Sequence, residues 1–197
     1  MIHELREYVI ECDRAPGYFA LFRDVGMPIR GSEYGRLVGN WMVDEGTIRF
    51  LHLWSYASLA ERAEKRAALG QVPEWTGTFL PGAVAHVSSQ SITILNPVAG
   101  AVAERDAHLL AHGPRVLHVL HVLRCKLGKA AQVAAMLARA HADADGVWVA
   151  EFPDPNAVYL LNRSEAPLAD QVELAEIGVV NVLCTPIDAG PYRLPLD

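Results

Sequence analysis

The sequence predicts an α+β protein built from two successive β-α-β-β-α-β units, and three observations predict it. Short runs rich in β-branched and aromatic residues alternate apolar with polar side chains, the period of a strand. Between them lie Ala- and Leu-rich stretches with helical spacing and recognisable caps. The order of elements over residues 1–96 then recurs over 115–197, with length differences confined to loops.

Residues 3–10 alternate apolar with charged side chains and read as a first strand, half exposed to a polar environment. Asp13-Arg14-Ala15-Pro16 supplies a cap and an early proline ahead of Tyr18, Phe19, Leu21, Phe22 and Val25, an apolar stripe that predicts a helix ending near Gly26. Residues 34–43 and 47–56 read as strands joined by the turn Asp44-Glu45-Gly46. Ser58-Leu59-Ala60-Glu61 has the form of a capping box, and the helix it opens stops at Gly70. Pro73-Glu74-Trp75 starts a short helix up to Pro81, and residues 85–95 alternate as a closing strand.

Laid on this unit, the second half matches His118-x-Leu120 to His3-x-Leu5 and Met136-Leu137 to Leu21-Phe22 at one constant offset. Trp148 falls on Trp41, and Ser164 with Leu168-Ala169 falls on Ser55 with Leu59-Ala60. Pro153-Asp154-Pro155-Asn156 replaces the first hairpin turn, Pro167 begins the matching helix, and Gly178 precedes a last strand over 179–185. Residues 97–114 form a linker whose short helix, over 102–112, is stopped by Gly113-Pro114, and residues 186–197 form an extended Pro-rich tail.

Each unit is the ferredoxin-like arrangement, an antiparallel sheet with helices on one face and the other face bare. Two such sheets cover each other, so the expected architecture is a pseudo-dimeric barrel within one chain, or a barrel completed by a second chain in a homodimer.

With 51% hydrophobic and 20% charged residues the composition is globular. A net charge of −6 without any Lys/Arg-rich run excludes nucleic acid and anionic membranes as partners. No apolar run approaches the ~20 residues of a spanning helix, and Met1-Ile2-His3-Glu4-Leu5-Arg6 lacks a signal-peptide pattern, so the expected location is cytoplasmic. Cys12, Cys125 and Cys184 are odd in number and far apart; they read as reduced thiols, buried small hydrophobes before nucleophiles. Phosphate-binding glycine loops and the Gly-x-Ser-x-Gly elbow do not occur, so no nucleotide cofactor is expected.

On a strand, residues of equal parity share a face. Glu4, Arg6 and Tyr8 therefore point one way on the first strand, as Phe50, His52, Trp54 and Tyr56 do on the third. If both sets face one side, a pocket follows in which Arg6 holds an anionic oxygen or enolate, His52 moves a proton and Tyr8 or Tyr56 donates to developing charge. The plainer reading is a buried polar network in the barrel interior, with Glu4 and Arg6 paired. Trp41, Trp54 and Trp75 suit an aromatic-walled cleft for a planar substrate, and core packing equally well. His108 and His112 lie one helical turn apart without a third ligand, so no metal is expected. A haem would need an axial ligand, for which His52 or His121 are candidates.

Several stretches resemble the NIPSNAP family: Glu4-Leu5-Arg6-x-Tyr8, Gly35-Arg36-Leu37-Val38-Gly39, the passage His52-Leu53-Trp54-x-Tyr56-x-Ser58-Leu59-Ala60-Glu61-Arg62, and then Glu74-Trp75 and Ser89-Gln90-Ser91. The resemblance implies a dimeric α/β-barrel, a superfamily fold shared by cofactor-free monooxygenases, isomerases, polyketide cyclases and some haem proteins, and it brings no settled reaction. The second half keeps the order of elements but not these residues: Leu161 stands where His52 does, Arg163 where Trp54 does and Leu123 where Tyr8 does. It resembles a degenerate copy, which leaves the pocket to the first half.

The leading expectation is thus an enzyme of cofactor-independent proton chemistry, an isomerase, cyclase or monooxygenase acting on an enolisable or aromatic metabolite. Arg6, Tyr8 and His52 are its catalytic candidates, and Glu4, Trp41, Trp54, Tyr56 and Trp75 its substrate-binding ones. The alternative is a non-catalytic binding or scaffold protein, or a haem-binding one.

Overall fold

A computed structural model describes residues 1–99, 118–163, 168 and 171–187. The expected connecting helix with His108 and His112, residues Ser164, Pro167 and Ala169, and the tail from residue 188 on lie outside the described residues. The first half runs β1 (Ile2–Glu11), α1 (Ala15–Leu21), α2 (Met27–Arg30), β2 (Arg36–Asp44), β3 (Thr47–Tyr56), α3 (Leu59–Leu69), α4 (Leu80–His86) and β4 (Val87–Ala99). The second runs β5 (His118–Cys125), α5 (Ala130–Ala140), β6 (Gly146–Phe152), β7 (Ala157–Arg163), α6 (Gln171–Glu176) and β8 (Val179–Ile187). The eight strands form one curled antiparallel sheet in the order β2-β3-β1-β4-β6-β7-β5-β8.

Local chemistry explains most boundaries. Ser58 Oγ accepts from the Glu61 N–H at 3.1 Å while the Ala57 N–H donates back to the Glu61 carboxylate, so α3 opens on the expected box. The β2–β3 hairpin turns at Gly46, whose φ of 90° suits glycine. The first helix, however, does not end at Gly26. It continues through a π-helical turn, Phe22–Gly26, into α2 and stops at Gly31, φ 47°. Gly26 serves close packing instead: a Cβ there would lie 2.5 Å from the Phe79 ring. Phe79 itself closes a second π-helical turn, Trp75–Phe79. Each widened turn contains the carbonyl, of Asp24 or Gly77, that the ring of Pro28 or Pro81 would otherwise crowd.

β4 begins only at Val87, because residues 85 and 86 complete α4, and it runs past Leu95 into the expected linker. Asn96, Pro97 and Ala99 pair with Val149, Trp148 and Val147 of β6, so β4 joins the two halves of the sheet. The register shifts beside Pro97, which has no N–H for the ladder.

Side-chain parity divides the molecule into layers. Leu5, Leu51 and Leu53 from the first half pack with Leu120, Trp148 and Leu161 from the second, leaving among them a void of about 20 Å³, room for about one water. Farther along the same facing surfaces a cavity of about 370 Å³ opens between Glu7 and Arg49 on one side and Leu120 and Tyr159 on the other. The opposite surface of β1–β4 carries Ile2, Ile10, Phe50, Trp54 and Tyr56 against Tyr18, Phe19, Phe22 and Phe79 of the helices. In the second half Leu123, Val158 and Leu160 meet Val133 and Leu137 of α5 in the same way. β1 is consequently covered on both sides. Its polar residues are therefore not uniformly half exposed as the alternation suggests, for His3, Glu4 and Arg6 are buried while Glu7 is part-exposed and Glu11 exposed.

Two tryptophans cross the interior to histidines of the other half. Trp148 Nε1 donates to His3 Nδ1 at 2.9 Å, and the Trp41 ring meets His118 edge-on at 6.2 Å. Each indole folds over the glycine two residues before it, Gly39 or Gly146. A Cβ on Gly146 would sit 2.0 Å from Trp148 Cη2, so Gly146→Ala is expected to cost about 2 kcal/mol or more in a denaturant-unfolding measurement. An unchanged midpoint would mean the indole is elsewhere.

Burial, helped by Arg36 and the N-terminal ammonium, pushes His3 down to about 4. Between that value and the ~6.5 of the unfolded chain only the unfolded state binds the proton, so stability falls as pH drops through this window, by up to ~1.4 kcal/mol per unit. His3→Gln is expected to flatten the stability–pH slope between pH 6.5 and 4 by about that amount, and an unaltered slope contradicts the assignment.

Candidate functional site

The pairing of β1 with β3 sets Glu4 opposite Trp54, Arg6 opposite His52 and Tyr8 opposite Phe50, while on its other side β4 sets Gln90 opposite Tyr8. The two sequence-derived sets therefore do share a face. It is the helix-covered face, not the interior between the two halves, because the leucines of opposite parity are the ones that point into that interior.

At the centre is Glu4, fully buried. Arg6 Nε donates to Glu4 Oε1 at 2.6 Å, and Arg62 Nε on α3 donates to Oε2. One turn on, Arg66 Nη1 stands 3.9 Å from Oε1. Burial alone would raise the Glu4 carboxyl, but the charges and hydrogen bonds of Arg6 and Arg62 outweigh it and hold it below the usual carboxylate range. The second arm of Arg6, Nη1, donates to Tyr8 Oη at 2.7 Å, and its third nitrogen, Nη2, has no partner.

Behind this row lies a chain of aromatic and polar contacts. Arg30 stacks its guanidinium 3.3 Å from the centre of the Trp54 ring and donates through Nη2 to Tyr56 Oη at 2.8 Å. Trp54 Nε1 donates to His52 Nδ1 at 2.6 Å, so the neutral imidazole carries its proton on Nε2. His52 is enclosed by Phe50, stacked at 4.8 Å, by Phe22, and by the edge of Tyr8 at 4.8 Å. Burial, then the charges of Arg6 and Arg30, push His52 well below its ordinary value and keep it neutral. Burial also lowers Arg30 to about 10.

In front of the row opens a cavity of about 480 Å³ between β1, β4, α3 and α4. Arg6, Tyr8, Arg66 and Gln90 line one side, and Leu69, Trp75, Phe79 and Val87 contribute an apolar wall. Trp75 stacks on Phe79 at 4.3 Å.

Of the residues singled out in the sequence, Arg6, Tyr8 and Trp75 line this cavity. Glu4, His52, Trp54 and Tyr56 form the buried layer behind it. Trp41 lies on the opposite face of the sheet, among the residues between the two halves. Arg30, Arg62 and Arg66 were not foreseen as site residues. The spacing of Arg62 and Arg66, one turn apart on a capped helix that follows β3, is a usable signal, whereas Arg30 offers none. His121 on β5 contacts Cys184 Sγ through Nδ1 at 3.1 Å and, like His52, is not part of the cavity wall. Neither histidine thus offers an axial ligand to a haem in that cavity. Cys12 and Cys184 are exposed and only Cys125 is buried, so two of the three thiols are not core hydrophobes.

The alignment of the second half also needs a one-residue correction. Leu161, set against His52 in sequence, faces the interior, and Leu160 pairs opposite His121 as His52 pairs opposite Arg6. A shift of one residue exchanges the faces of a strand. Among the described residues no helix is long and apolar enough to cross a membrane, and no group of three or more side chains is arranged to hold a metal ion.

The solved structure of an anthrone oxidase-like protein covers 98% of this chain and 95% of its own at a TM-score of 0.55 and 11% identity, a likeness of fold. A NIPSNAP family protein from Agrobacterium tumefaciens is 34% identical over 49% of this chain and 92% of its own, with a TM-score of 0.46. Protein NipSnap homolog 3B of Homo sapiens is 37% identical over 70 residues, 34% of this chain, and the match spans 28% of that relative's length. The NIPSNAP family model matches residues 3–101, half of the chain and the half that contains the cavity, so this chain belongs to the NIPSNAP family.

Proposed function

We propose that this chain is a small-molecule enzyme that carries out cofactor-independent proton chemistry, such as isomerisation, cyclisation or oxygenation, on an enolisable substrate held in the Arg6–Tyr8 cavity. The observation that carries this reading is the position of the Arg6 guanidinium and the Tyr8 hydroxyl, hydrogen-bonded to each other, on one side of a cavity of about 480 Å³. A cavity of that size falls within the ~300–1,000 Å³ range of small-molecule sites. Both donors are held by the buried layer behind them, so they need no rearrangement to receive developing negative charge.

In this mechanism the substrate carbonyl oxygen accepts from the Arg6 guanidinium and Tyr8 Oη, the α-proton passes to solvent water in the open cavity, and the enolate that forms stays bound to the two donors. Among the cavity's lining residues Tyr8 is the acid–base group other than arginine, so the role of general acid, giving its proton toward the enolate oxygen, falls to it. His52 takes a different part from the one its residue type suggests. With Nδ1 engaged by Trp54 and its ring packed against Tyr8, it positions the phenol from behind.

The same reading takes the chain as internally duplicated, two ferredoxin-like units closing as a pseudo-dimeric α/β-barrel. The matching strand orders β2-β3-β1-β4 and β6-β7-β5-β8 support it, as do the reciprocal His3–Trp148 and His118–Trp41 contacts.

The test is exchange of α-protons for deuterium in a panel of 1,3-diketones and β-keto acids, followed by NMR. The native chain is expected to accelerate exchange of at least one compound. Tyr8→Phe should lower that rate roughly a hundredfold or more with little change in melting temperature, and His52→Gln should lose less rate and more stability. Undiminished exchange in Tyr8→Phe, or none in the native chain, would sink the proposal.

A further inference from the structure

The arginines around the cavity outnumber their carboxylate. Arg6, Arg30, Arg62 and Arg66 gather about Glu4, and among the described residues no second acidic side chain pairs with any of them. Arg30 answers its charge only with a phenol and an indole face. The Arg6 side chain is 7% exposed and lines the cavity with Nη2 unpartnered. Arg66 also lines the cavity, 39% exposed, and its contact to Glu4 is long at 3.9 Å. Burial and the neighbouring charges of Arg6 and Arg62 push the Arg66 guanidinium down, against the pull of Glu4. Arg66 shares the single carboxylate with Arg6 and Arg62, which hold it at closer range, and an anion placed beside Arg6 and Arg66 would supply the missing counter-charge.

The other wall has the opposite character. Leu69, Trp75, Phe79 and Val87 are apolar, and on the same wall Leu80 and Val84 of α4 remain 40% and 76% exposed, one turn apart. An apolar body lying in the cavity would cover them.

We infer that the ligand of this site is a carboxylate on an apolar body, with its head between Arg6 and Arg66 and its tail along Trp75, Phe79 and Val84. The inference rests on the cavity being the substrate site and adds the charge of the substrate and Arg66 as the residue that selects it. A planar carboxylate suits guanidinium donors, and Gln90 on the same side of the cavity adds a neutral donor.

The experiment is equilibrium binding by calorimetry to the full chain, with sodium decanoate, decanol and decyl phosphate as probes. Decanoate is expected to bind at least tenfold more tightly than decanol, and Arg66→Gln should erase most of that difference while leaving decanol unaffected. Because α3 is held by its capping box and Arg62 still pairs with Glu4, this variant is expected to fold, which its melting temperature checks. Arg66→Lys, keeping the charge, should retain part of the preference. Equal affinity for decanol and decanoate, or a preference untouched by Arg66→Gln, overturns the inference, and tighter binding of decyl phosphate than decanoate overturns the carboxylate head. No turnover enters this measurement. A chain that binds decanoate but exchanges no α-proton therefore contradicts the proposed reaction alone.

Discussion

A carboxylate shut away from water has to keep cations beside it, and the first half of this protein is arranged around that requirement at Glu4. Removing one partner from a buried ion pair typically costs ~3–5 kcal/mol, because the other charge stays buried. Glu4 therefore constrains two elements at once. It ties Arg6 along its own strand and Arg62 across from α3, and so holds the helix against the sheet at the distance that leaves a cavity beside Arg66 and Trp75. With Nε and Nη1 of Arg6 committed to Glu4 and Tyr8 and Nη2 buried, the guanidinium is fixed as part of the cavity wall.

Parity explains why this polar row can exist inside a small protein. One residue along from Glu4, Leu5 points to the opposite side and packs with Leu120 and Trp148 of the second half. That apolar contact leaves a void of only about 20 Å³ at its centre, although a cavity of about 370 Å³ beside Glu7 and Arg49 opens farther along the same interior. In the second half Leu123 and Leu160 stand where Tyr8 and His52 would fall, and the polar residues at the neighbouring registers, His121 and Asn162, carry no fixed charge like that of Arg6. One half thus carries the charged row and its cavity, and the other supplies the surface against which its sheet is packed.

Much of this was legible in the residues, for identifiable reasons. The hairpin over Asp44-Glu45-Gly46 and the capping box at Ser58 are local signals, and the chain obeys them. Strand parity assembled Glu4, Arg6, Tyr8 and His52 on one face because that rule needs only the strands themselves. The failures are of another kind. Gly26 looked like a helix stop, yet it is set by the approach of Phe79, more than fifty residues away in the chain. Trp41 looked like a cleft wall until its parity relative to Trp54, across the Leu37/Gly39 irregularity in β2, put it on the other face. Arg30 and Arg66 reach the site through tertiary packing, and His52 is denied the cavity by the rings of Phe22, Phe50 and Tyr8. No window of sequence contains those distances.

The most direct test of the central claim is the affinity of Glu4→Gln for decanoate, because the two roles open to Glu4 predict opposite signs. If Glu4 acts by holding Arg6 in place, its neutral replacement lets the guanidinium leave the cavity wall, and the anion binds more weakly although the site has gained net positive charge. If Glu4 merely offsets charge, the same substitution strengthens the attraction, and tighter binding of decanoate would contradict the account.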